Sequence, residues 1–160
     1  MGGEGGWRGD GMHGGGGRCS GDLVPDEMIT GIEGRPGSGK SYLALEQIYN
    51  SLSRGKVVYT NMRNIFIHKV AWAINRATGR PRSDVLSRFR ILETWDVERL
   101  WKEKVQNCEI LLDEVMITWG ARDWAKMDRG LLEWFSQHRK YRVNFTYIVQ
   151  DIDGVDKTLR

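Results

Sequence analysis

The sequence predicts an α/β fold in which a mostly parallel sheet is covered by helices on both faces. Short apolar segments rich in β-branched residues alternate along the chain with segments of helical periodicity. One apolar segment leads into a glycine-rich turn and then a helix, and another ends in two adjacent acids. Nearly continuous apolar strands of this kind are typical of parallel sheets that are buried on both faces.

The elements are read from periodicity and from the residues that end helices. Apolar residues at helical spacing mark the first helix, and Gly55 ends it. Gly79 and Pro81 stop the second helix. The predicted strands cover residues 28–33, 56–61, 109–115 and 143–149, and the predicted helices cover residues 41–52, 70–78, 95–105 and 129–141. The apolar candidates of the last helix are Leu131, Leu132, Trp134 and Phe135.

Composition indicates one domain of ordinary core size. The chain has 160 residues, a hydrophobic fraction of 40% and a formal net charge of +3, which alone does not indicate nucleic acid or membrane as a partner. Residues 1–21 hold 11 of the 20 glycines, so residues 1–25 are predicted to be a disordered tail and residues 26–160 the domain. Cys19 and Cys108 indicate no disulfide framework. We find no apolar stretch near the roughly 18 residues of a membrane span, so the chain as given is expected to be cytoplasmic.

The most specific motif is the glycine-rich segment at residues 34–41, which matches the Walker A pattern GxxxxGK[ST] at every fixed position. Glycines allow the main chain to fold around phosphate, and the helix N-terminus that follows favours an anion. The motif therefore predicts a P-loop that binds a nucleoside triphosphate, with Lys40 on the β- and γ-phosphates and Ser41 on Mg²⁺. The predicted nucleotide-binding residues are Gly34, Arg35, Pro36, Gly37, Ser38, Gly39, Lys40, Ser41 and Tyr42.

A second motif is the apolar strand that ends in Asp113 and Glu114. A buried strand ending in a carboxylate is typical of the metal-holding acid of P-loop enzymes, the Walker B acid. Asp113 is therefore predicted to hold Mg²⁺, and Glu114 to polarise the attacking water as a general base. The pair favours hydrolysis over phosphoryl transfer to a small acceptor.

Polar residues near the last strand are further candidates. Gln150 follows that strand and could sense the γ-phosphate or position water, or it could be an ordinary strand-end amide. Arg139, predicted on a helix, could reach into a neighbouring subunit's site as an arginine finger, or it could simply be a solvated helix end. Arg122 is a weaker candidate for that role, and His138 is expected to be either a core residue or a hydrogen-bonded one.

Arginines and tryptophans leave a nucleic-acid role open. Residues 76–90 carry five arginines and one acid, a pattern that fits either phosphate contacts or a solvated loop. Of the seven tryptophans most are expected in the core or at interfaces, and one or two could stack on single-stranded bases. Six of them are Trp72, Trp95, Trp101, Trp119, Trp124 and Trp134.

Several of these blocks together resemble the zonular occludens toxin family, also known as the filamentous-phage assembly ATPases. They are the P-loop followed by Tyr42-Leu-Ala-Leu, the segment Val57-Val-Tyr-Thr-Asn, the segment Leu111-Leu-Asp-Glu, the segment Trp134-Phe-Ser-Gln-His-Arg, and the later Gln150-Asp and Asp156-Lys pairs. The P-loop is generic, whereas the block from Trp134 onward is far more specific. The resemblance covers about residues 29–160.

The resemblance implies a ring-forming motor related to the FtsK and HerA DNA motors, acting in assembly and export of a filamentous phage. It implies ATP hydrolysis by Lys40, Ser41, Asp113 and Glu114, with Gln150 as the sensor. It also implies phage coat or assembly proteins and single-stranded phage DNA as partners. Relatives continue to a membrane-spanning helix at the host inner membrane, so this chain is expected to be a truncated form and to reach the membrane only through a segment it does not contain.

Two alternatives share the same catalytic residues. One is a DNA-packaging or DNA-translocating ATPase of another virus or mobile element. The other is an interaction module that binds a nucleotide without turnover, which would retain Lys40-dependent binding but hydrolyse nothing.

Overall fold

The computed structural model describes residues 28–93, 97–114 and 129–150. These ranges contain five strands and five helices. The strands are β1 (Ile29–Glu33), β2 (Val57–Thr60), β3 (Phe89–Ile91), β4 (Cys108–Leu112) and β5 (Val143–Val149). The helices are α1 (Lys40–Ser53), α2 (Ile67–Thr78), α3 (Arg82–Ser87), α4 (Val97–Lys102) and α5 (Arg129–Ser136).

The five strands form one parallel sheet in the order β1-β5-β4-β2-β3. The predicted fold class is therefore confirmed. Strand β5 lies between β1, which leads into the glycine-rich loop, and β4, which leads into the two acids. Because all strands run the same way, the residues that follow β1, β4 and β5 meet at one edge of the sheet.

Helices cover both faces of the sheet, and each face has its own apolar core. On one face α1, α2 and α3 pack on the sheet through Ala44, Ile48, Ile74 and Val85, which are fully buried. On the other face α4 and α5 contribute a second buried cluster made of Leu100, Leu131, Trp134 and Phe135. Successive side chains of a strand point to opposite faces of the sheet. On β4, Leu111 therefore belongs to the first core, and Ile110 and Leu112 belong to the second.

The helix signals are largely confirmed. The first predicted helix is α1, and its buried positions Ala44, Ile48 and Leu52 repeat at the helical period. Helix α2 begins three residues earlier than predicted and ends at Thr78, and the C-cap residue Gly79 has a positive φ of 75°, which suits the left-handed cap. Of the apolar candidates of the last helix, Leu132 is only partly buried and the other three are buried.

The arginine-rich segment at residues 76–90 contains a helix and a strand that the sequence did not predict. Residues 82–91 form α3 and β3, and two of the five arginines hold them in place. Arg80 and Arg88 both donate to the carboxylate of Asp84, at 2.8 and 3.0 Å, and Arg88 also donates to the carbonyl of Gly55. The solvated-loop alternative is therefore wrong, because i,i+4 ion pairs stabilise a short helix here, and the alternative of phosphate contacts stays a prediction.

Two predicted boundaries that bear on candidate site residues are wrong, and helix α4 ends at Lys102 instead of residue 105. Helix α5 ends at Ser136, and a series of turns joins it to β5, so Arg139 is not on a helix. The turns are closed by main-chain hydrogen bonds such as that from Arg142 to Arg139. Strand β4 ends at Leu112, so Asp113 and Glu114 follow the strand instead of lying within it. Glu114 has a φ of 53°, which no continuing strand could contain.

Some predictions fall outside the described residues. They concern two ranges, the tail at 1–25 and the residues that follow Gln150. They also concern four single residues, namely Arg122, Trp95, Trp119 and Trp124. Among the helices of the described ranges, none has both the length and the apolar character needed to cross a bilayer.

Candidate functional site

The loop between β1 and α1 has the shape of an anion cradle. Gly37 and Gly39 have φ values of 82° and 89°, and a Cβ built at either meets no atom within 4 Å. The space beside both glycines is therefore open, and the left-handed backbone is one that other residues adopt only with strain. The amide of Ser38 donates to the carbonyl of Arg35 at 3.1 Å and closes the turn.

Helix α1 starts directly from this loop with its amide groups pointing into it. Gly39 is the N-cap residue, no side chain caps the helix, and its first turn contains no acid. The main-chain amides of Tyr42 and Leu43 are bonded to the carbonyl of Gly39, whereas those of Lys40 and Ser41 precede the first intrahelical bond. The helix dipole adds partial positive charge at the same point. The donor set therefore fits a phosphate.

Lys40 lies over the loop that precedes it. Its ammonium donates to the carbonyl oxygen of Gly34 and, at 3.0 Å, to that of Arg35. These two residues thus contribute to the cradle through their carbonyls, which hold the lysine. The positive charge is concentrated where an anion would bind.

Asp113 and Glu114 lie opposite the loop, at the end of β4. The main chain of Asp113 is bonded to the side chain of Asn61, the residue that follows β2: Oδ1 accepts from the Asp113 amide at 2.7 Å and Nδ2 donates to its carbonyl at 2.9 Å. The amide side chain extends the pairing of β2 with β4 by one step. At Glu114 the main chain adopts a left-handed conformation with a positive φ. This conformation costs on the order of 1–3 kcal/mol and persists where neighbouring residues hold it.

The sequence singled out Asn61 only as part of a resemblance block and not as a site residue. The available signal was its type and place, because a polar amide directly after a buried strand lies at the site edge of a parallel sheet. What could not be read from the sequence is that β2 and β4 are neighbours.

One cleft of about 420 Å³ brings most of the predicted site residues together, and we call it the P-loop cleft. It is lined by residues 36–41, Asp113, Glu114, Ile148, Val149 and Gln150. Gln150 reaches the cleft because β5 lies between the loop strand and the acid strand. Ser41 and Asp113 both line it and supply oxygen atoms of the kind that Mg²⁺ prefers.

A second cleft of about 820 Å³ adjoins the first, and we call it the α2 cleft. It is lined by Ser41, Tyr42, Leu45, residues 61–66, Lys69, Val70, Asp113 and Glu114. The two clefts share Ser41, Asp113 and Glu114. Tyr42, which was predicted with the nucleotide-binding set, lines the α2 cleft, and its side chain is 72% exposed.

Two other candidate residues lie away from this edge. Arg139 is exposed in the turns before β5, so it lies at the amino-terminal edge of the sheet, about 20 Å or more from the site given the rise per residue along that strand. A role in its own chain's site is excluded by this placement, while a role in a neighbouring subunit stays a prediction. His138 places its Nδ1 atom 2.8 Å from the carbonyl oxygen of Phe135, as expected of a hydrogen-bonded residue.

Behind the loop helix lies a buried acid that the sequence did not single out. Glu109 on β4 is fully buried and accepts hydrogen bonds from Gln47 at 2.9 Å, Thr146 at 2.9 Å and Ser51 at 3.2 Å. Burial raises the pKa of this carboxyl above its ordinary value, and the hydrogen bonds and Lys56 offset part of the increase. The cluster joins α1 to β4 and β5, and thus the loop helix to the acid strand.

The chain is similar to known phage proteins over most of its length. Residues 28–160 match the family described as Zonular occludens toxin (Zot). The Gene 1 protein of Enterobacteria phage I2-2 is 28% identical over 135 residues, which are 81% of this chain and 36% of that protein. The Gene 1 protein of Salmonella phage IKe is 27% identical over 135 residues, with the same two shares. The chain thus spans about a third of the length of these relatives.

Solved structures share the fold at lower identity. The N-terminal domain of zonular occludens toxin from Neisseria meningitidis aligns with a TM-score of 0.54 and 18% identity, over 84% of this chain and 71% of that one. The genome packaging NTPase B204 of Sulfolobus turreted icosahedral virus 2, in complex with AMPPCP, aligns with a TM-score of 0.59 and 17% identity, over 86% and 71%. These likenesses establish a P-loop NTPase fold. Since the family match covers residues 28–160, the chain belongs to the zonular occludens toxin (Zot) family.

Proposed function

We propose that this chain is the ATP-binding and ATP-hydrolysing domain of a phage morphogenesis protein that drives assembly and export of a filamentous phage. The observation that carries the proposal is the P-loop cleft, in which a glycine-rich cradle, two acids and an amide converge from three strands. The solved NTPase B204 with AMPPCP has the same fold, and the Gene 1 proteins of filamentous phages match 81% of this chain.

The cradle would bind the triphosphate. The first amides of α1 and those of the loop donate to phosphate oxygens, and Lys40 exchanges the carbonyls of Gly34 and Arg35 for phosphate. This exchange is favourable because a charge-assisted bond to phosphate is stronger than one to a neutral carbonyl. Binding and positioning of the reacting group are the main contributions of such a site.

The two acids would divide the chemistry between them. Ser41 and Asp113 would hold Mg²⁺, which when bound supplies charge neutralisation on the phosphates. Glu114, the more exposed of the two acids, would orient a water molecule and accept its proton. Gln150, on the strand between cradle and acids, would hydrogen-bond the γ-phosphate or that water.

The phage-export role is favoured over DNA packaging by the family match, since the packaging NTPase shares only the fold at 17% identity. It is tested in cells that release phage. With Lys40→Ala in the gene that encodes this chain, phage DNA should accumulate while particles are no longer released. Normal release by this variant would contradict the export role.

The enzymatic role is tested by ATP hydrolysis measured against protein concentration. We expect a rate per subunit that rises with concentration, because a ring motor completes its sites between subunits. Lys40→Ala should remove nucleotide binding, whereas Glu114→Gln should keep binding and lower turnover by about 10²–10⁴-fold. Lys102→Ala, an exposed change on α4, is the matched control and should leave both unchanged.

Each other outcome has a definite meaning. Equal turnover by Glu114→Gln would refute the base assignment. Lys40-dependent binding without hydrolysis at any concentration would refute the ATPase and leave a nucleotide-binding interaction module.

A further inference from the structure

The outward face of α2 carries alternating cations and aromatic rings. Lys69, Trp72 and Arg76 are three and four positions apart, so they share one side of the helix, and Phe66 precedes them at its N-terminus. All four are exposed, and the exposed fraction is 74% for Phe66 and 52% for Trp72. Large aromatic side chains this exposed are unusual, since burying one contributes roughly 1.5–3 kcal/mol. We call these four residues the α2 face.

Each ring of the α2 face has a cation beside it. The ammonium of Lys69 lies 5.0 Å from the ring centroid of Phe66, and the guanidinium carbon of Arg76 lies 5.3 Å from that of Trp72. These are cation–π distances. The arrangement repeats a flat apolar surface next to a positive charge along about 15 Å of helix.

The surrounding sequence is rich in cations, of which Arg63 and Arg80 are paired with acids from outside it, Glu93 and Asp84. Residues 47–83 contain seven lysines and arginines, namely Arg54, Lys56, Arg63, Lys69, Arg76, Arg80 and Arg82, and no aspartate or glutamate. The chain as a whole has 24 basic and 21 acidic residues, so this segment is unlike the rest. A polyanion is the partner whose charge complements such a surface.

The opposite side of α2 packs against the core of the domain. Ala71 and Ile74 are fully buried in the core beneath the helix, and Ile67 and Val70 pack against it. The outward face therefore offers single rings separated by charges and no continuous apolar strip. A helix lying in a bilayer needs such a strip, so this surface fits a nucleic acid better than a membrane.

The α2 face also begins at the candidate site. Phe66 and Lys69 line the α2 cleft together with Asp113 and Glu114. Asn61, which bonds to Asp113, lies at the start of the segment that leads into α2. A ligand on this face would be connected to the two acids through residues 61–66.

We propose that the α2 face binds single-stranded nucleic acid, with Phe66 and Trp72 stacking on bases and Lys69 and Arg76 contacting phosphates. Single strands are favoured over duplex because their bases are free to stack on exposed rings. The proposal names a macromolecular partner for the proposed ATPase. It does not depend on turnover, since binding can be measured without nucleotide and in the Lys40→Ala variant.

The test is fluorescence anisotropy of a labelled oligothymidylate titrated with the full chain at several salt concentrations. We expect Trp72→Ala and Phe66→Ala to weaken binding by about tenfold or more, as loss of a stacked base does. Lys69→Ala and Arg76→Ala should each reduce the slope of log affinity against log salt by about 0.7. Trp72→Phe, which keeps a ring, should bind nearly as the parent does.

The control is Lys102→Ala, which removes an exposed cation from α4 on the other side of the sheet and should leave affinity and salt slope unchanged. Circular dichroism checks that each variant is folded. The proposal is overturned if the parent does not bind the oligonucleotide, if the four variants bind as it does, or if duplex binds as tightly as single strand. It is also overturned if the variants change only the oligomer mass or only binding to anionic vesicles.

Discussion

The side-chain amide of Asn61 forms two hydrogen bonds with the main chain of Asp113, one accepted from its nitrogen at 2.7 Å and one donated to its oxygen at 2.9 Å. The two residues are 52 positions apart and meet because β2 and β4 are neighbours. This pair of hydrogen bonds holds the residue directly before Glu114, whose φ is 53°. Asn61 is therefore placed to position both acids, and it does not itself line the P-loop cleft.

We predict that Asn61→Ala lowers kcat for ATP by about tenfold or more, because each lost hydrogen bond contributes roughly 1 kcal/mol to holding the acids. The KM for ATP should change little, since the cradle at residues 34–41 is untouched. Steady-state kinetics measure both quantities. Asn64→Ala is the control, because Asn64 lines the same α2 cleft but makes no contact of this kind. Equal effects from both variants would contradict a positioning role.

Gln150 is predicted to act on turnover and not on binding. Gln150→Ala should leave nucleotide affinity nearly unchanged and lower kcat, because the residue lines the P-loop cleft from the strand between cradle and acids. Gln150→Glu keeps the size but removes the amide donor, so it should be as impaired if the amide donates to phosphate. Single-turnover hydrolysis with bound ATP is the measurement. Full activity in both variants would mean that Gln150 is an ordinary strand-end amide.

Arg139 is predicted to act between subunits. Arg139→Ala should keep nucleotide binding and lose the rise of specific activity with protein concentration, since the residue is too far from its own chain's site to act there. Mixing it with Lys40→Ala should restore hydrolysis, because each partner supplies what the other lacks. Lys140→Ala, an exposed neighbour, is the control. If mixing restores nothing while Arg139→Ala alone is fully active, the assignment fails.

We predict that the free energy of unfolding depends on pH through the ionisation of Glu109. Its pKa in the folded chain is raised above the ordinary 4.5 by burial, so its contribution to stability is fully present below pH 4.5 and is lost as pH rises through the raised pKa. Glu109→Gln cannot ionise and should become more stable relative to the parent as pH increases from 4.5 to 8. Urea unfolding at several pH values measures this. Glu103→Gln, an exposed change, should run parallel to the parent.

We predict that replacing Gly31 by any residue with a side chain destabilises the fold. A Cβ at this position would lie 2.8 Å from Cζ and Oη of Tyr147, its register partner on β5, and Tyr147 is buried at 2% exposure. Gly31→Ala should therefore destabilise the fold by about 1–3 kcal/mol, as overpacking does. Thermal unfolding measures the change. The cost should shrink in a Tyr147→Leu background, and an unchanged cost there would place its origin elsewhere.

Much of the candidate site could be predicted because it is local in sequence. The cradle, the helix that follows it and the acids after an apolar strand are contiguous segments, and their spacing alone indicates phosphate and metal chemistry. The order of strands and helices also follows from periodicity. The segment at 79–91 was missed because its helix is only six residues long and depends on Asp84 holding two arginines.

What the sequence by itself determined is the type of fold, the family and the identity of the residues that form the glycine-rich loop and the acid pair. The tertiary structure alone decided which strands are neighbours, and with them the contact of Asn61 with Asp113, the place of Gln150 between loop and acids, and the burial of Glu109. It also placed Arg139 at the far edge and exposed the rings of α2. The physical reason is that pairing in a parallel sheet joins segments far apart in the chain, and no local pattern records which two will meet.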